Sequence, residues 1–248
     1  MQTTLSIVIP AHNEEGSLEE TVTSIAHALT KEHIPFEIMV VNDHSTDATV
    51  TILTELIQRV PQLRTVNNEQ LAGYGRAVVS GINATHGAYV AIMMADLSDD
   101  PEDLVRFYRA AQETGVDCVF GSRFIKGGAT YDYPRFKMIL NRFANTLVRL
   151  LFGIRYNDCT NAFKLYKRET LDGLRPFLSP HFNLTLELPL KAIVRGYSYT
   201  VLPNSWRNRK NGVSKLKIKE MGSRYLFVLL YCFIERYFSR GDFKKPPH

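Results

Sequence analysis

Val90–Pro101 reads V-A-I-M-M-A-D-L-S-D-D-P. An apolar run of strand length stops at Asp96, two more carboxylates follow at Asp99 and Asp100, and Pro101 suits the first position of a helix. A buried strand that ends in carboxylates carries negative charge to the C-terminal edge of a sheet, where open α/β sheets bind ligands. Two uses compete for these acids. One is a divalent cation with the phosphates it neutralises. The other is the acidic start of a helix over 101–114, with Asp99 and Asp100 as caps.

The chain on either side repeats the pattern. Leu5–Pro10 reads as a short buried strand, and Ser17 with Glu20 forms a capping box for a helix to about Thr30. Phe36–Val41 is a second strand, followed by a helix capped at Thr46 or Asp47. Leu63–Asn67, Tyr89–Ala95 and Val116–Gly121 read as further strands, with helices from about Gly75 and from Pro101. Strand and helix alternate with short connections, which predicts an α/β fold with a mostly parallel sheet flanked by helices. Each strand ends in polar residues: Ala11–Glu15, Asn42–Asp47, Asn67–Glu69, Asp96–Asp100 and Ser122–Arg123. The P-loop and dinucleotide glycine fingerprints are absent, so nucleotide binding at this edge would rely on carboxylates and a metal.

Beyond Arg123 the alternation weakens. A helix over about 135–152 mixes Phe136, Ile139, Phe143 and Leu147 with Lys137, Arg142 and Arg149; it either packs on the sheet, which is the default, or partly faces a membrane interface. Asp158–Tyr166 reads as a strand. Glu187, the one inward-looking acid among leucines in a helix at 183–195, leaves two readings open, a buried functional acid or a side chain that simply points at solvent. Trp206–Lys215 is basic and glycine-containing, as an anion-binding loop or a solvated charge run would be. Tyr225–Ile234 is strongly apolar and edged by Arg224 and Arg236. It predicts an amphipathic or apolar C-terminal helix that docks on the core, on another protein or on a membrane, the flanking basic residues favouring the last two.

The totals fit a globular chain of 248 residues, 45% hydrophobic and 22% charged. Three widely spaced cysteines make no metal pattern, which favours a reducing, cytoplasmic setting. No Lys or Arg precedes Lys31, and the first apolar run is too short for a secretory leader. The net charge of +5 is uneven, because residues 204–248 hold 11 Lys or Arg against 3 Asp or Glu. A basic tail suggests an anionic surface. Nucleic acid would explain the tail but not the strand-end acids, and is not expected as a partner. The division drawn from this is a catalytic domain at 1–215 and an associating segment at 216–248.

Five blocks, I-V-I-P-A-H-N-E-E (7–15), V-V-N-D-H-S-T-D-A-T (40–49), A-G-Y-G-R-A (72–77), M-A-D-L-S-D-D-P (94–101) and S-R-F-I-K-G-G (122–128), resemble in content and order glycosyltransferase family 2. With D-C-T-N-A-F-K-L-Y (158–166) and R-K-N-G-V-S-K-L (209–216), the chain looks like that family's polyprenyl-phosphate, dolichol-phosphate mannosyltransferase type. The resemblance implies a GT-A fold, a nucleotide-sugar donor (GDP-mannose or a UDP-sugar), Mg²⁺ or Mn²⁺, and a polyprenyl-phosphate acceptor at the cytoplasmic face of a membrane. It also implies site residues. Pro10, Ala11, Asn13 and Glu15 would form the first nucleotide turn. Asp43 would contact base or ribose, and Gly73 and Arg76 the glycine turn beside it. Asp96 would hold the metal. Arg123, Lys137, Asp158, Arg209, Ser214 and Lys215 would serve the diphosphate or the acceptor, with Asp96, Arg123 and Arg209 as the catalytic set.

The chain departs from the family pattern at Met94, Asn42 and Thr185, where acids or Gln are usual. A thioether is a poor ligand for a hard cation, so Met94 weakens the metal site. Two alternatives follow. One is a family 2 transferase with a hydroxyl acceptor, which needs a general base from Asp100, Asp158 or Glu187. The other is a catalytically silent nucleotide-sugar-binding relative.

Overall fold

The computed structural model describes residues 4–208 and 218–245. Its centre is a seven-stranded sheet. In chain order the strands are β1 (Leu5–Ala11), β2 (Phe36–Asn42), β3 (Leu63–Asn67), β4 (Tyr89–Ile92), β5 (Cys118–Ser122), β7 (Lys164–Lys167) and β8 (Tyr199–Pro203). Their spatial order is β3-β2-β1-β4-β7-β5-β8. Six strands run in one direction, and β7 runs against both of its neighbours, so the sheet is mixed. A small parallel ribbon joins β6 (Ala129–Tyr131) to β9 (Ser205–Arg207).

Helices cover both faces. On β1 the side chains alternate, as a strand requires. Leu5, Ile7 and Ile9 enter one core with Leu18, Val22 and Ile25 of α1 (Leu18–Lys31), Leu53 of α2 (Thr49–Arg59) and Phe107 of α4 (Pro101–Thr114). Val8 enters the opposite core. There it meets Val78 and Ile82 of α3 (Tyr74–Ala84), Phe152 of α5 (Arg135–Phe152), Leu171 of α6 (Arg168–Gly173), Leu188 of α7 (Leu184–Val194) and Val228 of α8 (Ile218–Phe238). Each such buried side chain contributes about 2 kcal/mol.

Local chemistry explains the shifts from expectation. Ser17 makes no capping bond to α1; its hydroxyl turns back to the Glu14 carboxylate at 3.3 Å. Asp100 does cap α4, accepting from the Glu102 N–H at 3.0 Å, while Asp99 turns inward. Regular pairing of β4 stops at Ile92, three residues before the apolar run ends. The predicted strand at Asp158–Tyr166 shrinks to Lys164–Lys167, because residues 158–161 form a turn.

The C-terminal part needs the larger correction. α8 is apolar on several sides rather than on one face. Val228 and Cys232 are buried against α7, while Leu226, Leu230 and Ile234 are exposed and Phe238 is 70% exposed. Nor does α5 lie flat on the sheet. Asn145, Val148 and Phe152 are buried, whereas Phe136, Phe143 and Leu150 are 67%, 70% and 77% exposed. Among the described residues no helix is long and apolar enough to cross a membrane.

α8 is fastened to the body by a buried ion pair. The Arg195 guanidinium, at the end of α7, donates to both Glu235 oxygens at 2.8 and 2.9 Å. Removing one partner of such a pair strands the other charge in the interior, which costs about 3–5 kcal/mol. Glu235→Ala should therefore lower the urea-unfolding free energy by about that amount, and a loss below about 1 kcal/mol would show that α8 is not held this way.

Candidate active site

The C-terminal ends of β1, β2 and β4 each lead into a turn with one non-glycine residue at positive φ: Asn13 at 56°, His44 at 60° and Leu97 at 59°. Asn tolerates this conformation, whereas His and Leu hold it only where surrounding contacts impose it. Those contacts build two corners of one sheet edge.

The first corner gathers around Asp43. Its carboxylate accepts from the Gly73 N–H at 2.9 Å and from Asn68 Nδ2 at 2.7 Å, and its own N–H donates to the Ala11 carbonyl at 2.7 Å. Pro10 and Ala11 are buried in β1. Asn13 and Glu15 tie this edge to the next loop: Asn13 Oδ1 accepts from the Thr46 N–H at 2.7 Å, and Glu15 Oε2 from the Ala48 N–H at 2.9 Å. The Gly73 turn then lies against residues 179–181. The Arg76 N–H donates to the Pro180 carbonyl at 3.2 Å, and the Arg76 guanidinium caps the Ala72 carbonyl at 3.3 Å. Gly75 has no room for a side chain, since a Cβ there would fall 2.1 Å from the Ser179 carbonyl oxygen.

The second corner joins the loop after β4 to the end of β5. Asp96 is buried, and its Oδ1 accepts from the Ser98 N–H at 3.2 Å. Asp99 accepts from the Met94 N–H at 3.1 Å and pairs through its backbone with Trp206. Burial raises the Asp99 carboxyl to about 7; the Met94 N–H works against the shift and the Asp96 charge adds to it. Trp206 packs on Tyr133 with ring centres 4.9 Å apart, and the Arg123 guanidinium sits 5.9 Å from the indole and 5.5 Å from the Tyr133 ring. Asp158 holds Arg123 with three bonds, from its N–H at 3.0 Å, Nε at 2.8 Å and a terminal nitrogen at 2.7 Å. Burial works against the charge on Arg123, but the Asp158 carboxylate outweighs it, so the guanidinium is held more firmly charged than in water.

Other expected residues lie elsewhere. Lys137 is half-buried in the first turn of α5. Arg209, Ser214 and Lys215 lie outside the described residues. Glu187 does not face solvent. It is fully buried, accepting from Lys191 Nζ at 2.6 Å and from the Leu178 N–H at 2.8 Å. The four-residue spacing to Lys191 was the available signal. Sequence reasoning also missed Trp206, the chain's one tryptophan. It missed Asn161 and Asn204 as well. Their side chains bond each other at 3.0 Å and crowd Gly121 so closely that a Cβ there would lie 2.8 Å from Asn204 Oδ1.

No group of three His, Cys, Asp or Glu side chains among the described residues could cage a metal, so an all-protein metal centre is not what the edge builds. Asp96 supplies one oxygen-donor carboxylate there, Asp100 is engaged as a cap, and Met94 supplies none. This donor set fits a cation that takes its remaining ligands from a diphosphate and water, as Mg²⁺ commonly does.

The Asp99 carboxyl gives a pH signature. The folded chain keeps this proton up to about pH 7, whereas an unfolded chain releases it near about 3.9. Between those values the folded state binds more protons, so this group's contribution to stability falls as pH rises. Without divalent cations, Asp99→Asn should gain stability relative to the native chain between urea titrations at pH 5 and pH 8. An equal difference at both pH values would place the carboxyl in its ordinary range.

The comparisons with known proteins follow the geometry. The family model described as glycosyl transferase family 2 matches residues 6–175. Polyprenol monophosphomannose synthase of Mycolicibacterium smegmatis is 33% identical over 216 residues, covering 85% of this chain and 80% of that protein. Dolichol-phosphate mannosyltransferase of Pyrococcus furiosus is 31% identical over 219 residues, and this chain spans only 60% of its length. Solved structures of glucosyl-3-phosphoglycerate synthase from Mycobacterium tuberculosis share the fold at 22% identity. The UDP complex matches with a TM-score of 0.71 over 93% of this chain and 80% of that one. The complex with Mn²⁺, UDP and phosphoglyceric acid matches with 0.72 over 93% and 78%. These likenesses bear out the expected α/β, GT-A-like architecture.

They also correct the acceptor. The matching fold is captured with phosphoglyceric acid, a small hydroxyl-bearing molecule, and so does not carry the expectation of a polyprenyl-phosphate mannosyltransferase with a lipid partner. The expected peripheral attachment to a membrane is likewise not carried by these likenesses, and among the described residues no helix is long and apolar enough to cross a membrane. What the sequence match and the sheet edge carry together is the family: this chain belongs to glycosyltransferase family 2.

Proposed function

We propose that this chain transfers a sugar from a nucleotide-sugar donor to a hydroxyl-bearing acceptor. The observation that carries the reading is the pairing, on one sheet edge, of the Asp43–Gly73 corner with the Asp96 and Arg123–Asp158 corner, in a chain of this family. The Asp43 corner suits a ribose or base, because a buried carboxylate already ordered by Asn68 and Gly73 accepts hydrogen bonds at little further entropic cost. The Arg123 guanidinium, fixed by Asp158 and flanked by Trp206 and Tyr133, suits a diphosphate that gains charge as it departs. Mg²⁺ or Mn²⁺ is the cofactor, as in the relatives captured with either ion. When bound beside Asp96 it would neutralise the diphosphate.

A hydroxyl acceptor requires a general base. Asp158 is wholly engaged by Arg123, and Glu187 is sealed in the interior with Lys191. Asp99 turns inward as well, so the role falls to Asp100, the exposed carboxylate of the same loop, through the oxygen not used to cap α4. Residues 1–215 form the catalytic unit in this reading. Lys137, Arg209, Ser214 and Lys215 serve the acceptor side, and 216–248 forms an associating segment.

The test is product mass spectrometry with UDP- and GDP-sugars, Mg²⁺ or Mn²⁺, and two acceptor classes: hydroxyl compounds beginning with phosphoglyceric acid, and a short polyprenyl phosphate. Product with a hydroxyl compound is expected, and product with polyprenyl phosphate alone would overturn the reading. Asp96→Ala and Arg123→Ala should each lower kcat/KM by roughly 100-fold or more. Turnover within about twofold of the native chain would remove that residue from the site.

A further inference from the structure

Lys164 has no place in the reaction as described, yet it is a fully buried cation with no carboxylate bonded to it among the described residues. It opens β7, and its side chain is fully buried. Its ammonium donates to three neutral backbone carbonyls: Asn161, Cys159 at 3.1 Å and Thr185 at 3.2 Å. Three acceptors match the three protons of the charged form. Burial nevertheless lowers its pKa to about 7, against the Cys159 and Asp158 charges that raise it, so the site holds the charge at a cost. A methionine of similar length would fill most of the space without that cost, which directs attention to what the three bonds fasten.

Two of the acceptors lie in the turn at 158–161, whose first residue is the Asp158 that clamps Arg123. α5 already holds this turn from one side, through Asn145 Oδ1 on the Cys159 N–H at 2.6 Å and Asn141 Nδ2 on the Thr160 hydroxyl at 2.7 Å. The third acceptor, Thr185, is the second residue of α7, which begins directly after residues 179–183. That segment is the wall against which Gly73, Gly75 and Arg76 pack. The ammonium thus spans from the Arg123–Asp158 corner to the support of the Asp43–Gly73 corner.

We propose that Lys164 is a positioning residue that fixes the spacing between the two corners, and through it the fit of a nucleoside diphosphate across them. The inference rests on the proposed nucleotide-sugar function. It adds a residue that touches no substrate.

The test is a double-mutant cycle read by calorimetric titration with UDP, or with GDP where UDP does not bind, alongside thermal unfolding. Lys164→Met should weaken diphosphate binding by roughly tenfold, and should weaken it no further in an Arg123→Ala background. If Lys164→Met does not fold, Lys164→Gln, which keeps two donors and loses the charge, carries the same cycle. A purely structural lysine would lower the unfolding temperature and leave affinity unchanged, or would add its loss to that of Arg123→Ala; either result overturns the inference. Unchanged affinity in Arg123→Ala alone also overturns it, whereas sugar transfer is decided separately by product mass.

Discussion

The buried pair of Arg123 and Asp158 is the constraint on which the rest of the edge depends. Neither charge would be tolerated alone at that depth, and their three bonds leave little freedom to either. The pair requires a turn that starts at Asp158, and the turn requires acceptors and donors for its own backbone. Asn145 of α5 and the Lys164 ammonium meet that need, while Asn141 holds the Thr160 hydroxyl and the Asn161 side chain ties the turn to the Gly121 carbonyl. Gly121 completes the arrangement by having no side chain where Asn161 and Asn204 meet. Of the three aromatic rings over Arg123, Phe124 is its neighbour in sequence, while Tyr133 and Trp206 come from residues far apart in the chain. The small β6–β9 ribbon brings them together by pairing the segments beside them.

The first half of this fold was legible because buried parallel strands are written as short apolar runs with polar ends. Leu5–Pro10, Phe36–Val41 and Leu63–Asn67 fall within one residue of the observed strands, and the helix over 101–114 is reproduced with Asp100 as its cap. The second half was less legible because it breaks that code. β7 carries a lysine at a fully buried position, and only its three backbone acceptors make that acceptable. Glu187 was left undecided because burial of a lone acid is improbable until its partner is seen, four residues away. Asn13 and Glu15 were expected to serve the nucleotide, and the strand-end pattern could not reveal that their side chains hold a neighbouring loop.

The surface tells a related story. α5 and α8 touch through Phe152 and Phe233 and through the Tyr237 hydroxyl on the Leu151 carbonyl, yet both leave large apolar side chains in the open. Exposed apolar surface of this extent is uncommon on an isolated globular chain. The same apolar run that suggested a membrane anchor in the sequence is, in the structure, partly the cover of the second core, with Val228 and Cys232 turned inward. Hydrophobicity alone did not distinguish a cover from an anchor.

The reversed strand also sets the order in which the molecule can be assembled. The block β3-β2-β1-β4 is complete once residue 92 has been made. β5 has no neighbour among the strands that precede it, because both of its partners, β7 and β8, come later in the chain. A nascent chain therefore presents the right-hand edge of β4 unpaired until residue 167 appears. Such an edge is the usual point of entry for another chain's strand. The corner containing Arg123 closes last, so late truncation or slow synthesis would yield a half-sheet that is ordered, sticky and without its diphosphate clamp.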